Sequence, residues 1–145
     1  MIYWLTGQPG AGKTTLAQWI MASFPTKSTM VDGDDIREIF VNTDYSEAGR
    51  RKNIEKAQIL AKFLHHKGQT VVVSLVSPYR DQRESFKNDM GDNLIEIYVH
   101  TTEDRGRNHF HVQNYEEPLE NFIDCDTTNS SEYNTFLNLR RKLNI

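Results

Sequence analysis

The chain has 145 residues, of which 37% are hydrophobic and 26% charged, a composition typical of one globular domain. Its formal net charge of -3 argues against a protein held on nucleic acid mainly by a basic surface. The single cysteine, Cys125, excludes an intramolecular disulfide and suits a reducing compartment. The apolar N-terminal run is too short for a signal peptide and no run is long enough to span a membrane, so we expect a cytoplasmic protein.

Hydrophobic periodicity predicts strands that alternate with helices. The expected strands are residues 2–6, 29–31, 70–76, 94–99 and a short 122–124. The first expected helix follows the first strand and its glycine-rich turn and ends at Phe24. The other expected helices cover residues 36–40, 46–66, 81–89 and 131–143. In the last helix, the residues expected to face inward are Tyr133, Phe136, Leu137 and Leu143.

This alternation indicates βαβ crossovers and therefore a parallel sheet covered on both faces. We predict an α/β fold with three layers, α/β/α, and about five parallel strands. Residues 1–145 are expected to form a single domain. Residues 101–121 are polar and show no hydrophobic periodicity, which predicts a loop. A loop of that length in a compact domain is more often functional than not.

A complete phosphate-binding motif, G-x-x-x-x-G-K-[ST], lies between the first strand and the first helix. Its glycines let backbone N–H groups surround the phosphates, and the helix N-terminus adds positive charge. Lys13 would reach the β- and γ-phosphates and the Thr14 hydroxyl would bind Mg²⁺, so ATP and Mg²⁺ are the expected cofactors. The alternative is an ordinary glycine-rich turn. The predicted ATP-binding residues here are Gly7, Gln8, Pro9, Gly10, Ala11, Gly12, Lys13, Thr14 and Thr15.

An acidic turn, Asp32-Gly33-Asp34-Asp35, follows the second strand. Ligands of open α/β sheets bind at the carboxyl ends of the strands, so this turn should face the same crevice as the phosphate-binding loop. A carboxylate there could accept the proton of an acceptor hydroxyl or hold Mg²⁺. The alternative is a turn that only caps the next helix.

Two polar residues near the start of the long helix share its inward face. Arg50 and Asn53 are three residues apart, one turn before the apolar pair Ile54 and Ala57. Because that end of the helix lies at the carboxyl edge of the sheet, both side chains should point into the crevice.

The phosphate-binding loop and three further motifs resemble those of the adenylylsulfate kinase family. The family pattern DGDNxR is matched by residues 32–37, with Asp35 in place of asparagine. FSExxRRxNI is matched by residues 45–54, with Tyr45 in place of phenylalanine, and SFISPYRxxR is matched by residues 74–83. The resemblance covers about residues 2–99. With the phosphate-binding loop, it implies the three-layer α/β/α P-loop nucleoside-triphosphate hydrolase fold, with residues 1–145 as a single P-loop kinase domain.

The resemblance implies phosphorylation of the 3′-hydroxyl of adenosine 5′-phosphosulfate with MgATP. It implies that Lys13 and Asp34 are catalytic and that Thr14 and Asp34 hold the metal ion. Tyr45 would stack on the adenine of the acceptor, and Ser77 takes the place of a serine that can be phosphorylated. The acceptor-binding residues would be Asp34, Arg37, Tyr45, Arg50, Asn53, Val76, Ser77 and Phe110.

The lid that follows the fourth strand departs from the family. Residues 101–111 are much shorter than the lysine- and arginine-rich lid of the family. By resemblance, Arg105 would cover the ATP base, and Phe110, just before a YEEP segment, would be the second aromatic of the acceptor clamp. We refer below to residues 101–114 as the lid segment.

The short lid leaves the acceptor open between adenylylsulfate and another hydroxyl, on a modified nucleotide or a hydroxymethylated base in DNA. A regulatory NTPase is a further alternative, although the chain has no N-K-x-D motif. The expected partner is a small-molecule nucleotide acceptor. Membrane association is not expected, and the acidic net charge disfavours binding to nucleic acid. A homodimer is one of the oligomeric states that the sequence allows.

Overall fold

A computed structural model describes residues 1–145. The five strands are β1 (Ile2–Thr6), β2 (Ser28–Asp32), β3 (Thr70–Ser74), β4 (Leu94–His100) and β5 (Ile123–Asp126). The five α-helices are α1 (Lys13–Ala22), α2 (Gly33–Ile39), α3 (Glu47–His66), α4 (Arg80–Met90) and α5 (Glu132–Leu143). Two single 3₁₀ turns cover Gly91–Asn93 and Asn108–Phe110. No helix is both long and apolar enough to cross a membrane.

All strands are parallel, in the order β2-β3-β1-β4-β5. The first strand is central, and its Trp4 pairs in register with Val73 on one side and Glu96 on the other. Because all strands run the same way, their carboxyl ends lie along one edge of the sheet, where ligands of such sheets bind.

The two faces of the sheet carry separate apolar cores, as expected for a parallel sheet buried on both sides. Alternate residues of β1 divide between them: Ile2 and Trp4 join the core under α2, α3 and α4, whereas Tyr3 and Leu5 join the core under α1 and α5. The predicted three-layer α/β fold with five parallel strands is therefore confirmed.

Several local expectations differ from the structure. Strand β3 ends at Ser74 rather than at residue 76, and Leu137 of α5, expected to face inward, is half-buried. Helix α2 begins at Gly33 rather than residue 36, because the Asp32 side chain accepts a hydrogen bond from the Asp34 N–H at 2.9 Å and caps the helix. In α5, Tyr133 is 55% exposed rather than inward, and Leu139, which was not expected inward, is buried. The buried stripe of α5 runs through Thr135, Phe136, Leu139 and Leu143.

A carboxylate with two cationic partners lies inside the fold. The Glu96 side chain on β4 is 1% exposed and accepts from Arg83 Nε at 2.9 Å and from Lys87 Nζ at 2.9 Å. Both cations come from α4, so the cluster joins that helix to the sheet. Buried charges persist only when they are paired and hydrogen-bonded, and here all three are.

The same cations hold the chain that precedes β5. Arg83 also donates to the carbonyl oxygens of Ser77 and Glu116, and Lys87 donates to that of Glu120 at 3.1 Å. Arg83 belongs to the SPYRxxR motif, and its role in this structure is to support the fold rather than to contact the site.

Glu96→Ala should leave the buried Arg83 without a counter-charge and Lys87 with only the partly exposed Glu84, and lower the free energy of unfolding by about 3–5 kcal/mol. The matched control is Asp89→Ala, which removes an exposed carboxylate 2.8 Å from Lys62 and should cost less than about 1 kcal/mol. Urea unfolding of both variants, followed by circular dichroism, measures the difference. Equal losses would contradict the structural role of Glu96.

Candidate active site

The phosphate-binding loop connects β1 to α1 through two backbone positions that need glycine. A Cβ atom on Gly7 would lie 2.1 Å from the carbonyl oxygen of Val99, so no side chain fits there. Gly12 caps α1 in the left-handed region, with φ 106°. These two positions hold the loop against β4 and direct the N-terminus of α1 toward the space that the loop encloses.

A cavity of about 830 Å³ opens above this loop. Its walls come from the phosphate-binding loop, the start of α2, the end of β3, the lid segment and the start of α5. Most of its lining residues are polar. A volume of this size is suited to a ligand of nucleotide dimensions.

The predicted catalytic lysine lies in the wall of this cavity. Lys13 is 8% exposed, and its Nζ donates to the Gln8 carbonyl oxygen at 3.0 Å. Burial lowers the pKa of Lys13 to about 8; nearby Asp32 opposes this change and Arg107 adds to it. An incoming anion would favour the charged form of this amine.

The acidic turn lies across the cavity, as predicted. Asp32 and Asp34 both line it, whereas Asp35 does not. Burial raises the pKa of the Asp32 carboxyl, and the like charges of Asp34 and Asp35 add to this effect. The Thr14 hydroxyl lies 3.3 Å from the Ser74 hydroxyl at the same cavity, so carboxylate and hydroxyl oxygens share one site.

The arginine and tyrosine predicted for the acceptor contact each other, and neither lines the cavity. Arg37 Nη1 donates to the carbonyl oxygens of Asn42 and Asp44, at 3.1 and 3.0 Å. Its guanidinium carbon lies 3.8 Å from the centre of the Tyr45 ring, which is 63% exposed. Arg37 therefore holds the loop that presents this aromatic face.

The two α3 residues predicted for the acceptor differ in their surroundings. Asn53 is buried; its Nδ2 donates to the Gly33 carbonyl oxygen at 3.4 Å, while its Oδ1 has no partner. Arg50 is half-buried and its side chain makes no hydrogen bond or ion pair with the protein. Neither residue lines the cavity, so their place in the acceptor site stays a prediction. Both side chains retain hydrogen-bonding capacity for a ligand.

The residues after β3 divide between cavity and core. Val76 lines the cavity. Ser77 is 1% exposed and does not line it; its hydroxyl accepts from the Trp4 indole N–H at 3.0 Å. A role for Ser77 in acceptor binding or phosphorylation stays a prediction, and in this structure its hydroxyl is already paired inside the fold.

The lid segment is attached to the phosphate-binding loop by a reciprocal pair of hydrogen bonds. Gln8 Nε2 donates to the Val112 carbonyl oxygen at 2.8 Å, and the Val112 N–H donates to Gln8 Oε1 at 2.8 Å. Gln8 occupies a position where the motif accepts any residue, so the motif gave no indication of this contact. Phe110 is 56% exposed outside the cavity lining, so its place in an acceptor clamp stays a prediction.

Arg105 lines the cavity but its hydrogen-bonding groups face the protein. Its Nη1 donates to the carbonyl oxygens of Gly10 and Ala11 at 3.2 and 3.1 Å. Its other nitrogens donate to Glu103 and to the Thr127 carbonyl oxygen. Contact with an ATP base would therefore involve the flat face of the guanidinium, and this role stays a prediction.

Several lining residues were not predicted from the sequence. Ser74 and the segment after β5, which includes Thr127 and Ser131, lie at the carboxyl ends of their strands. The rule that ligands bind at those ends was a signal that could have found them. Arg107 also lines the cavity, and no local pattern indicated it.

A parallel sheet with a complete phosphate-binding loop after its first strand and a carboxylate turn after its second is the arrangement of P-loop nucleotide-binding proteins. The family model described as Adenylylsulphate kinase matches residues 1–138, and the chain belongs to this family.

Named relatives agree with this assignment. The adenylyl-sulfate kinase of Buchnera aphidicola is 34% identical over 106 residues, which cover 70% of this chain and 52% of that protein. The chain thus spans about half the length of the curated relatives it matches.

Solved structures share the fold. An APS kinase of Mycobacterium tuberculosis in complex with AMPPNP and APS superposes with a TM-score of 0.79 at 20% identity, covering 99% of this chain and 97% of that one. A hexameric APS kinase from Thiobacillus denitrificans gives a TM-score of 0.77 at 24% identity, covering 99% of this chain and 28% of that one.

The low pKa of Lys13 leads to a prediction about nucleotide binding. In the nucleotide-free protein this amine is largely neutral above pH 8, whereas bound phosphates would favour the ammonium form and raise its pKa. ATP binding should therefore take up close to one proton at pH 9 and almost none at pH 7, and affinity should fall as pH rises through 8.

Calorimetry in buffers of different ionisation enthalpy measures this uptake. Lys13→Arg should remove it, because a guanidinium stays charged at both pH values. If wild-type protein bound ATP without proton uptake at pH 9, the Lys13 amine would already be charged before the nucleotide binds, which contradicts the prediction.

Proposed function

We propose that this chain is an adenylylsulfate kinase that transfers the γ-phosphoryl group of ATP to the 3′-hydroxyl of adenosine 5′-phosphosulfate. The observation that carries the proposal is one cavity bordered by both Lys13 of the phosphate-binding loop and Asp34 of the acidic turn. Family membership supports it, as does the related fold whose structure contains AMPPNP and APS. Such an activity would belong to sulfate assimilation in the cytoplasm, with a homodimer as an open proposal.

The donors at the cavity fit Mg²⁺. Thr14 and Asp34 would hold it, with Asp32 close by, and hard oxygen ligands of this kind are those that Mg²⁺ prefers. Burial raises the pKa of Asp32, the like charges of Asp34 and Asp35 add to this effect, and a bound cation would oppose both. Mg²⁺ in sites of this type is usually bound by one or two protein ligands together with substrate phosphates. When bound, Mg²⁺ would neutralise phosphate charge.

The residues of the chain would then perform three tasks in the transfer. Lys13 stabilises charge on the β- and γ-phosphates. Asp34 orients the acceptor hydroxyl and accepts its proton as the oxygen bonds to the γ-phosphorus. The bond from that phosphorus to the bridging oxygen breaks, and ADP leaves with the electron pair. The half-enclosed cavity limits water, which would otherwise compete as acceptor.

The acceptor side favours a nucleotide with its own anionic group. Arg37 and Arg50 come from neighbouring helices, and guanidinium groups pair well with phosphate or sulfate oxygens. The exposed Tyr45 ring supplies a flat surface suited to a purine, and the unpaired Asn53 Oδ1 can accept a hydrogen bond.

A changed acceptor is the second candidate, because the lid segment lacks the basic stretch of the family. It would be a modified nucleotide or a hydroxymethylated base in DNA. The deciding experiment measures phosphoryl transfer, beside ATP hydrolysis without acceptor, across adenylylsulfate, other nucleotides and hydroxymethylated DNA. Transfer to adenylylsulfate at a rate far above the others would support the first candidate, and hydrolysis alone would support a regulatory NTPase.

Asp34→Asn should lower turnover by about 10²–10⁴-fold, the usual effect of losing a positioned general base, with a much smaller change in ATP affinity. Asp35→Asn is the matched control, because Asp35 belongs to the same turn but does not line the cavity, and its turnover should stay close to wild type. Steady-state kinetics with adenylylsulfate measures both. If Asp35→Asn or Asp32→Asn lowered turnover severely while Asp34→Asn lowered it little, the general base would be that other carboxylate.

Arg50→Ala and Arg37→Ala should each raise the KM for adenylylsulfate at least tenfold, about 1.4 kcal/mol, with little effect on the KM for ATP. Arg50 would act through direct contact, and Arg37 also through the loop that carries Tyr45. The control is Lys52→Ala, which removes an exposed cation of the same helix. A raised KM for ATP instead of adenylylsulfate would contradict the acceptor role.

A further inference from the structure

Arg107 of the lid segment lies directly against the phosphate-binding loop. A Cβ atom placed on Gly10 would be only 2.9 Å from Arg107 Cβ, so the two backbones approach closely. The Arg107 side chain lines the cavity together with Lys13 and Thr14. A long cationic side chain therefore starts at the loop that binds phosphates and borders the space where a nucleotide would lie.

The Arg107 guanidinium has no anionic partner in the protein. It forms no hydrogen bond or ion pair, and its contact is with the Phe110 ring, 5.1 Å from the guanidinium carbon to the ring centre. The nearest acids of the lid segment are engaged elsewhere: Glu103 binds Arg105, and Asp104 accepts from the Gly106 N–H. An aromatic face holds a cation in place without neutralising it or occupying its N–H groups.

The neighbouring Arg105 differs in this respect. Each of its guanidinium nitrogens donates to Glu103, Thr127 or a carbonyl oxygen of the phosphate-binding loop. Two arginines two residues apart thus have separate tasks, since Arg105 fastens the lid segment to the loop and Arg107 keeps its five N–H groups available.

We propose that Arg107 is a further catalytic residue, which binds the β- and γ-phosphates of ATP together with Lys13 and stabilises the charge that develops during transfer. As the bond between the γ-phosphorus and the bridging oxygen breaks, negative charge moves to the β-phosphate of departing ADP. A guanidinium pairs with two phosphate oxygens at once, which suits this position better than a point charge. The proposal rests on the proposed function in that ATP is the donor, but not on the identity of the acceptor.

The test uses Arg107→Ala and Arg107→Lys, with Arg141→Ala as the matched loss of one exposed arginine in the last turn of α5, at the far end of that helix from the cavity. Arg107→Ala should lower kcat at saturating ATP and adenylylsulfate by at least about 10²-fold. It should also weaken binding of the ATP analogue AMPPNP with Mg²⁺ by about tenfold or more, and that of ADP by less. Arg107→Lys should recover much of the binding but only part of kcat.

Thermal unfolding verifies that each variant is folded. A folded Arg107→Ala with wild-type kcat, or with AMPPNP and ADP weakened equally and kcat unchanged, would overturn the proposal. If the wild-type protein does not phosphorylate adenylylsulfate, the proposed acceptor is wrong, while the comparison of AMPPNP with ADP still decides the role of Arg107. Arg141→Ala should match wild type in every measurement.

Discussion

The parallel pairing of β1 with β3 on one side and β4 on the other is the constraint on which the rest of the molecule depends. It brings the chain that leaves β1 so close to β4 that Gly7 lies against the Val99 carbonyl oxygen. At the end of β1, the buried Thr6 hydroxyl donates to the Val76 carbonyl oxygen at 2.7 Å and lies 2.7 Å from the Tyr115 hydroxyl. One residue thus joins the chain after β3 and the chain before β5 to the base of the phosphate-binding loop.

This arrangement separates charge across the cavity. Cations come from the phosphate-binding loop and the lid segment, as Lys13 and Arg107, and carboxylates come from the turn after β2, as Asp32 and Asp34. The other lid-segment charges of the lining, Glu103 and Arg105, neutralise each other as an ion pair. A nucleotide triphosphate and a divalent cation complement the four charges named first, because none of these four side chains forms an ion pair within the protein. The lowered pKa of Lys13 and the raised pKa of Asp32 both show buried groups whose charge is not fully compensated.

The parts of this structure that local sequence can predict are those produced by local rules. The glycine and lysine spacing of the phosphate-binding loop, the apolar strands and the carboxylates after β2 each follow from short patterns. The prediction of which α5 residues face inward was partly wrong. Tyr133 packs against Trp19 at the surface, while Leu139 continues the buried stripe. Arg83 and Arg107 could not be assigned, because their surroundings come from contacts between distant parts of the chain.

The attachment of residues 101–121 has a consequence for the order in which the molecule assembles. Of these residues only Pro118 is buried, so the segment has almost no apolar core of its own. It is held by hydrogen bonds from Gln8, Arg83 and Lys87, groups that are in place only after β1, α4 and β4 have come together. We therefore expect the segment to order last during folding and to open first under stress. Loss of the cavity would precede loss of the sheet, so activity would disappear while most of the secondary structure persists.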